Sequence, residues 1–402
     1  MSTRRRPDLA RRRGSRRRQA TQAGFTLVEL MVSLTISLVI LAALVALFVN
    51  TNRSSREFER ANSMIENGRL AVQVLENDVI HAGFWGTYVP EFDDQTLPPW
   101  VTPTDVPTVL PDPCLAYANW NDDVDGDGHP DQRKSLIGVP VQAYEDAVVC
   151  GGVIQNKVAN TDILIVRHAE MCVPGVSANC EADVAGRLYF QDGRCTVDPD
   201  PYVLDTAGFT LLQRDCAAVA DKRKFISNIY YVRDFAVTPG DGTPTLVRSQ
   251  FDLSPAGDLE HLPAVPLIEG IERFRVELGI DDESETGQPV EYVDVDGNPV
   301  GIVWVDPENR TSAENRGDGV PDGNFLRCTT LAPCTLGDLM NVTAVKLYVL
   351  ARSPQESPGY TDTKTYALGG AGNAGPFDDG FKRHLFVTTV RLPNFAGRRI
   401  TP

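Results

Sequence analysis

The sequence is short of the side chains that carry out chemistry. Its five histidines (His81, His129, His168, His261 and His384) are scattered. There is no H-E-x-x-H, no G-x-S-x-G and no P-loop, so the usual metal-protease, serine-hydrolase and nucleotide-binding arrangements are missing. No enzyme is expected. None of the eight cysteines stands in a Cys-x-x-Cys spacing, which argues against redox and zinc motifs. Positive charge is also scarce: 38 Lys and Arg face 54 Asp and Glu, for a net charge of −16. Nine Arg (Arg4, Arg5, Arg6, Arg11, Arg12, Arg13, Arg16, Arg17, Arg18) fall in the first 24 residues against Asp8 alone. Removing that +8 leaves −24 for the rest. A body this acidic repels phosphate backbones, and the sequence offers it no basic patch, so direct nucleic-acid binding is not expected.

What is present is one apolar run, Phe25 to Val49, with Glu29 as its only charge. As a helix it would reach about 37 Å, enough for a hydrocarbon core of about 30 Å. Arg upstream and acid downstream orient it with the leader in the cytoplasm. An ordinary signal anchor accounts for the hydropathy. A cleaved secretory signal fits less well, because the run is long and no small-residue cleavage site follows it. Glu29 asks for more, since a carboxylate at the apolar boundary is costly without a cationic partner. A cut between Gly24 and Phe25 would create one, the new α-amino group. In a bundle of such helices each Glu29 could meet a neighbour's N-terminus and set the axial register.

The stretch "AGFTLVELMVSLTIS" resembles the class III signal of type IV prepilins. In that family a prepilin peptidase cuts after the Gly and methylates the new N-terminal Phe, and a Glu is the fifth residue of the mature chain. The resemblance implies Gly24 and Phe25 as the processing positions and Glu29 as the residue of assembly register. The leader is long and Arg-rich for that family. No Pro lies between Phe25 and Gly83 to kink the helix, which favours a minor over a major subunit.

The chain divides into an Arg-rich leader (1–24), a membrane half (25–49) and an amphipathic half (50–83) of one helix. An irregular segment rich in Pro, Asp and Trp (84–134) and a β-rich head (135–402) follow. Phe58, Ala61, Ile65, Val72, Leu75 and Val79 recur at helical spacing and form the expected inner stripe. Strands are expected at 162–168, 186–191, 228–237, 245–251, 273–281, 344–352 and 384–392, where β-branched and aromatic residues lie between turn signals. Few helical patterns separate them, so the sheet should be antiparallel. The fold class is α+β: a long N-terminal transmembrane and amphipathic helix packed on a large antiparallel β-rich head.

"LENDVIHAGFWG", "YYVRD", "LIEGIERFRVELGID", "VTAVKLYVLARS" and "RHLFVTTVRLPNF" resemble, in order and spacing, the PilW family of type IV minor pilins. The resemblance implies a subunit that primes pilus assembly at the tip and so supports twitching motility, cell adhesion and DNA uptake. Its implied partners are other minor pilins, the major pilin, a tip adhesin, the prepilin peptidase and the inner-membrane assembly platform. The alternatives are a type II secretion pseudopilin and a calcium-dependent surface-binding domain on a signal anchor.

Two further features stand out. "DVDGDGHPD" places Asp123, Asp125, Asp127 and Asp131 at positions 1, 3, 5 and 9, with Gly at 6, an oxygen set suited to Ca2+. Lys134 stands where an EF-hand needs Glu, so a solvated acidic turn is the competing reading. Asp296-Gly297-Asn298 reads as a hairpin turn. The eight cysteines all follow the apolar run and suit disulfides in an oxidising compartment. Cys172/Cys180, Cys195/Cys216 and Cys328/Cys334 are short-range candidate pairs and Cys114 and Cys150 further candidates, with the connectivity left open by the sequence. His168 beside Cys172 and Cys180 could be drawn as zinc, but a disulfide near a strand-end His is preferred.

Overall fold

The computed structural model describes residues 24–94, 103–123, 126, 130–146, 150–176, 179–283 and 317–399. The Arg-rich leader, Asp125, Asp127 and the Asp296-Gly297-Asn298 turn lie outside them. Helix α1 (Leu27–His81) comes first, and α2 (Asp131–Gly138) follows the irregular segment. Strands β1 (Val141–Tyr144), β2 (Ile163–Ala169), β3 (Tyr189–Asp192), β4 (Tyr202–Asp205), β5 (Lys222–Arg233), β6 (Thr245–Leu253), β7 (Leu259–His261), β8 (Val265–Glu269) and β9 (Ile271–Ile280) come next. After α3 (Leu336–Met340) run β10 (Val342–Arg352), β11 (Tyr366–Ala367), β12 (Asn373–Ala374), β13 (Arg383–Arg391) and α4 (Pro393–Ala396). The chain falls into two compact units, Met1–Phe58 and Glu59–Pro402.

In the first unit the helix runs without a break, consistent with the lack of Pro, and residues 24–56 are exposed. It is long and apolar enough to cross a membrane. Its hydroxyls are satisfied locally: Ser33 Oγ donates to Leu30 O at 3.0 Å, Thr35 Oγ1 to Val32 O at 2.8 Å and Ser37 Oγ to Ser33 O at 2.7 Å. Such back-bonding lets polar side chains sit in hydrocarbon without stray donors.

The second unit is α+β with antiparallel sheets. The long strand β5 is the spine of an eight-stranded sheet ordered β1-β2-β5-β3-β4, with β6 also on β5 and both β7 and β8 on β6. A three-stranded sheet, β13-β10-β9, stands apart from it. Its register aligns Phe274, Val349 and Phe386 in one row, Val276, Leu347 and Thr388 in the next, and Leu278, Val345 and Val390 in a third. Because side chains alternate across a strand, these rows share one face. That face joins the C-terminal half of α1 in the main core, which holds Met64, Ala71, Leu75 and Val79 with Phe274, Val276, Leu347 and Val349. Fully burying a Leu or Val such as Leu75 or Val79 stabilises the fold by roughly 1.5–3 kcal/mol each.

The stripe differs from the one expected. Met64, Gly68, Ala71, Leu75 and Val79 face inward, whereas Phe58 is 68% and Ile65 39% exposed. The reason is steric. A Cβ on Gly68 would lie 2.0 Å from a Phe386 ring carbon, so the helix closes on β13 along its small residues rather than its bulkiest ones. Ile65, Leu70 and Ile80 remain on the outer surface.

The segment after α1 is irregular but packed. Trp85, Tyr88 and Trp120 join Phe190, Phe225 and Phe251 in a second cluster, and the Trp85 ring stacks on Phe225 at 5.9 Å. Asp105 is buried there, accepting from the backbone N–H of Glu91 at 2.7 Å and from the Tyr88 hydroxyl. Burial pushes its carboxyl up to about 6. Four disulfides tie the head: Cys114–Cys150, Cys172–Cys180, Cys195–Cys216 and Cys328–Cys334. Each cross-link stabilises a fold by about 2–4 kcal/mol, mainly by restricting the unfolded chain. Buried charge is compensated: Arg383 pairs with Glu272, Asp362 and Asp379, and Asp162 with Arg275 and Arg327. Removing one partner from such a cluster is expensive, because the others stay buried and uncompensated.

Candidate processing and assembly site

Gly24 and Phe25 precede α1 in non-helical, exposed backbone, and nothing lies within 4 Å of where a Cβ on Gly24 would stand. The peptide bond between them is accessible. One residue on, Thr26 caps the start of α1. Its backbone N–H and its hydroxyl each donate to Glu29 Oε2 at 3.0 Å, and Glu29 N–H donates to Thr26 Oγ1 at 3.3 Å. This reciprocal capping box satisfies orphan donors at the helix start and is worth about 0.5–2 kcal/mol. The sequence reading missed Thr26, although Thr-x-x-Glu before an apolar run is the signature of such a cap.

The cap changes what Glu29 does. A helix N-terminus already carries about half a positive charge, and a free α-amino group at Phe25 would add a full one. Glu29, in the first turn, lies where it can offset both. In the single chain its carboxylate is held by Thr26, so in a bundle it would be shared between that cap and any neighbouring cation.

At its other end α1 is fixed to the head by polar contacts from four directions. Asp78 accepts from His168 Nε2 at 3.0 Å and from Asn228 Nδ2 at 3.0 and 3.1 Å. Glu76 accepts from the Thr388 hydroxyl of β13 at 2.6 Å, and Asn67 Nδ2 donates to Glu269 O at 3.1 Å. The last carbonyls are capped from the chain's far end: Asn394 Nδ2 donates to Ile80 O at 3.1 Å and Ala82 O at 3.3 Å, and Arg398 donates to Gly83 O at 2.9 Å. Such contacts fix the helix in azimuth, so Ile65, Leu70 and Ile80 present a defined apolar surface.

Of the four carboxylates in the Asp-rich loop, Asp123 and Asp131 fall within the described residues. Asp123 Oδ1 accepts from Gly126 N–H at 2.7 Å. Asp131 is buried at the start of α2, where its Oδ1 lies 3.3 Å from the buried Lys134 ammonium and accepts from the Thr108 hydroxyl at 2.5 Å. That ammonium already neutralises Asp131, so a cation in the loop would draw on Asp123 and on Asp125 and Asp127. Glu170, Cys172 and Cys180 come together as a group of ligand type, but both sulfurs are committed to a disulfide.

An exposed apolar helix with a processing-accessible start, carried by an antiparallel β-head, defines a pilin-like, membrane-anchored protein. Comparison with known proteins finds two matches of the same kind. Residues 229–394 match the Type IV Pilus-assembly protein W model, and residues 19–45 match the prokaryotic N-terminal methylation motif. The C-terminal part of the head thus carries a PilW-type pilus-assembly domain and the N-terminus a prepilin-type methylation motif, the pairing found in type IV minor pilins. Among solved structures it is similar to a type IV-like pilin from Thermus thermophilus, at 14% identity over 60% of this chain and 81% of that one, with a TM-score of 0.25. No curated protein matches it. The first match covers the end of β5 and all of β6 to β13, including the β9, β10 and β13 sheet that packs on α1.

Proposed function

We propose that the chain is inserted in the inner membrane with its Arg-rich leader in the cytoplasm and its head outside, and is cut and methylated at Phe25. It then packs through α1 with other minor pilins into a complex that primes pilus assembly at the tip. Motility, adhesion and DNA uptake would follow from the filament, with the major pilin, a tip adhesin and the assembly platform as further partners. The observation that carries this reading is the Thr26–Glu29 cap directly after an accessible Gly24–Phe25 bond, at the head of an unbroken apolar helix. Four disulfides in the head support an oxidising compartment.

The test replaces Glu29 by Ala in the native host. Surface pili should fall at least tenfold while the amount of membrane-inserted protein is unchanged. Normal piliation combined with a loss of exported proteins would instead support a type II secretion pseudopilin.

A further inference from the structure

On the eight-stranded sheet the basic side chains of β5 and its neighbours are mostly spoken for. Lys222 pairs with Asp183 at 2.8 Å, Lys224 with Asp252 at 2.7 Å and Arg187 with Asp252 at 2.8 Å. Three guanidinium groups nearby depart from this pattern. Arg194, Arg214 and Arg223 line one open cleft of about 190 Å3, together with Thr87, Asp192 and Asp221. None of the three makes an ion pair with a described residue. Arg194 donates to Thr87 O, and Arg223 donates to Glu170 O at 3.3 Å and to Met171 O while lying over the Phe84 ring. These neutral carbonyls aim Arg194 and Arg223 without cancelling their charge, while Arg214 is exposed and makes no such bond with a described residue.

The walls are fixed. The Cys195–Cys216 disulfide closes the loop that carries Arg214, Arg194 N–H donates to Leu212 O at 3.0 Å, and Gln191 Nε2 donates to Ala220 O at 2.7 Å. Asp192 is engaged by the backbone N–H of Thr87 at 3.0 Å and by the Thr87 hydroxyl. Against Asp192 and Asp221, three arginines without an ion pair leave this cleft a local excess of one positive charge in a body of net charge −24, which opposes the local trend of pairing and suits an external anion.

We propose that this cleft is a docking site for an acidic polypeptide segment of a partner protein, with Arg194, Arg214 and Arg223 gripping its carboxylates. Planar guanidinium groups bind carboxylates through paired, charge-assisted hydrogen bonds. At about 30 Å3 per water the cleft has room for about six waters, the size of one or two carboxylate-bearing side-chain ends. A nucleic acid fits less well. A duplex is stiff and holds its phosphates in a fixed line over the surrounding acidic surface, whereas a flexible peptide can direct one or two carboxylates to the arginines and turn the rest to solvent.

The test uses the full-length chain in non-ionic detergent with a dye-labelled hexaglutamate peptide, read by fluorescence anisotropy. Binding should weaken about tenfold in Arg214→Gln, which loses no intramolecular bond, and at least a hundredfold in the Arg194→Gln/Arg214→Gln/Arg223→Gln variant. Lys222→Gln makes the same charge change outside the cleft and should leave binding unchanged. Near-ultraviolet circular dichroism checks that each variant keeps its fold. Absence of peptide binding, equal loss in Lys222→Gln, or tighter binding of a duplex DNA of matched charge would each overturn the proposal.

Discussion

Substituting Gly68 by Ala sets two effects of comparable size against each other on α1. In a free helix the change is favourable by about 1 kcal/mol, because Gly loses the most backbone entropy. Here the added methyl would stand 2.0, 2.6 and 2.7 Å from three carbons of the Phe386 ring. Carbon atoms in contact prefer about 3.5–4.0 Å, so the ring or the helix must retreat by about 1.5 Å. Neither moves freely: Phe386 lies in β13 opposite Val349, and Thr388 two residues on is bonded to Glu76. Overpacking of this kind costs about 1–3 kcal/mol, which outweighs the propensity gain over most of that range. In a Phe386→Ala background the obstacle is gone and the same substitution should stabilise the head by about 1 kcal/mol. The double-mutant cycle should therefore show a coupling of about 1–3 kcal/mol. Urea unfolding of the detergent-solubilised chain, followed through the buried Trp85 and Trp120, measures it. Additive effects to within about 0.5 kcal/mol would refute the close packing of α1 on β13.

Three other outcomes follow from the contacts. Asp78→Ala leaves His168 and Asn228 without their shared acceptor and should lower head stability by about 2–4 kcal/mol in the same urea assay. Thr26→Ala removes the cap, and amide hydrogen exchange over residues 27–30 in micelles should quicken with no change in the head. His261 gives the pH dependence: burial first, then the Arg167 charge, holds its imidazole down to about 3. Its folded value lies below the unfolded 6.5, so its contribution is fully present above pH 6.5 and is lost as pH falls toward 3. At about 1.36 kcal/mol per pH unit, the step from pH 7.5 to 5 removes about 2 kcal/mol. Asp105, raised when folded, acts in the opposite sense as it protonates. The comparison is therefore the slope of wild type against His261→Gln, and equal slopes would contradict a buried neutral His261.

Much of this was legible in the sequence, for identifiable reasons. The seven expected strands appear, shifted by a few residues, because each carries enough β-branched and aromatic residues to mark itself. Strands β1, β4, β7 and β8 escaped notice because three to five residues give too short a period to detect. Three of the four disulfides join cysteines 6 to 21 residues apart, where short loops close most readily, while Cys114–Cys150 spans 36 residues. The expected stripe on α1 holds at Val72, Leu75 and Val79 but not at Phe58 and Ile65, because the small residues Gly68 and Ala71 set the closest approach to the sheet. Nothing in the sequence around Asp78 marks it as a part-buried acceptor. Its partners lie 90 and 150 residues away, beyond the reach of local pattern.

The central claim is that Gly24–Phe25 is the processing bond at the head of an assembly helix. Intact mass and N-terminal sequencing of the protein from its native membrane, in wild type and in Gly24→Ala, test it most directly. The account predicts a mature chain beginning at N-methylated Phe25 that is absent from the variant. An uncut leader in both would contradict it and leave the head as a binding domain on a plain anchor.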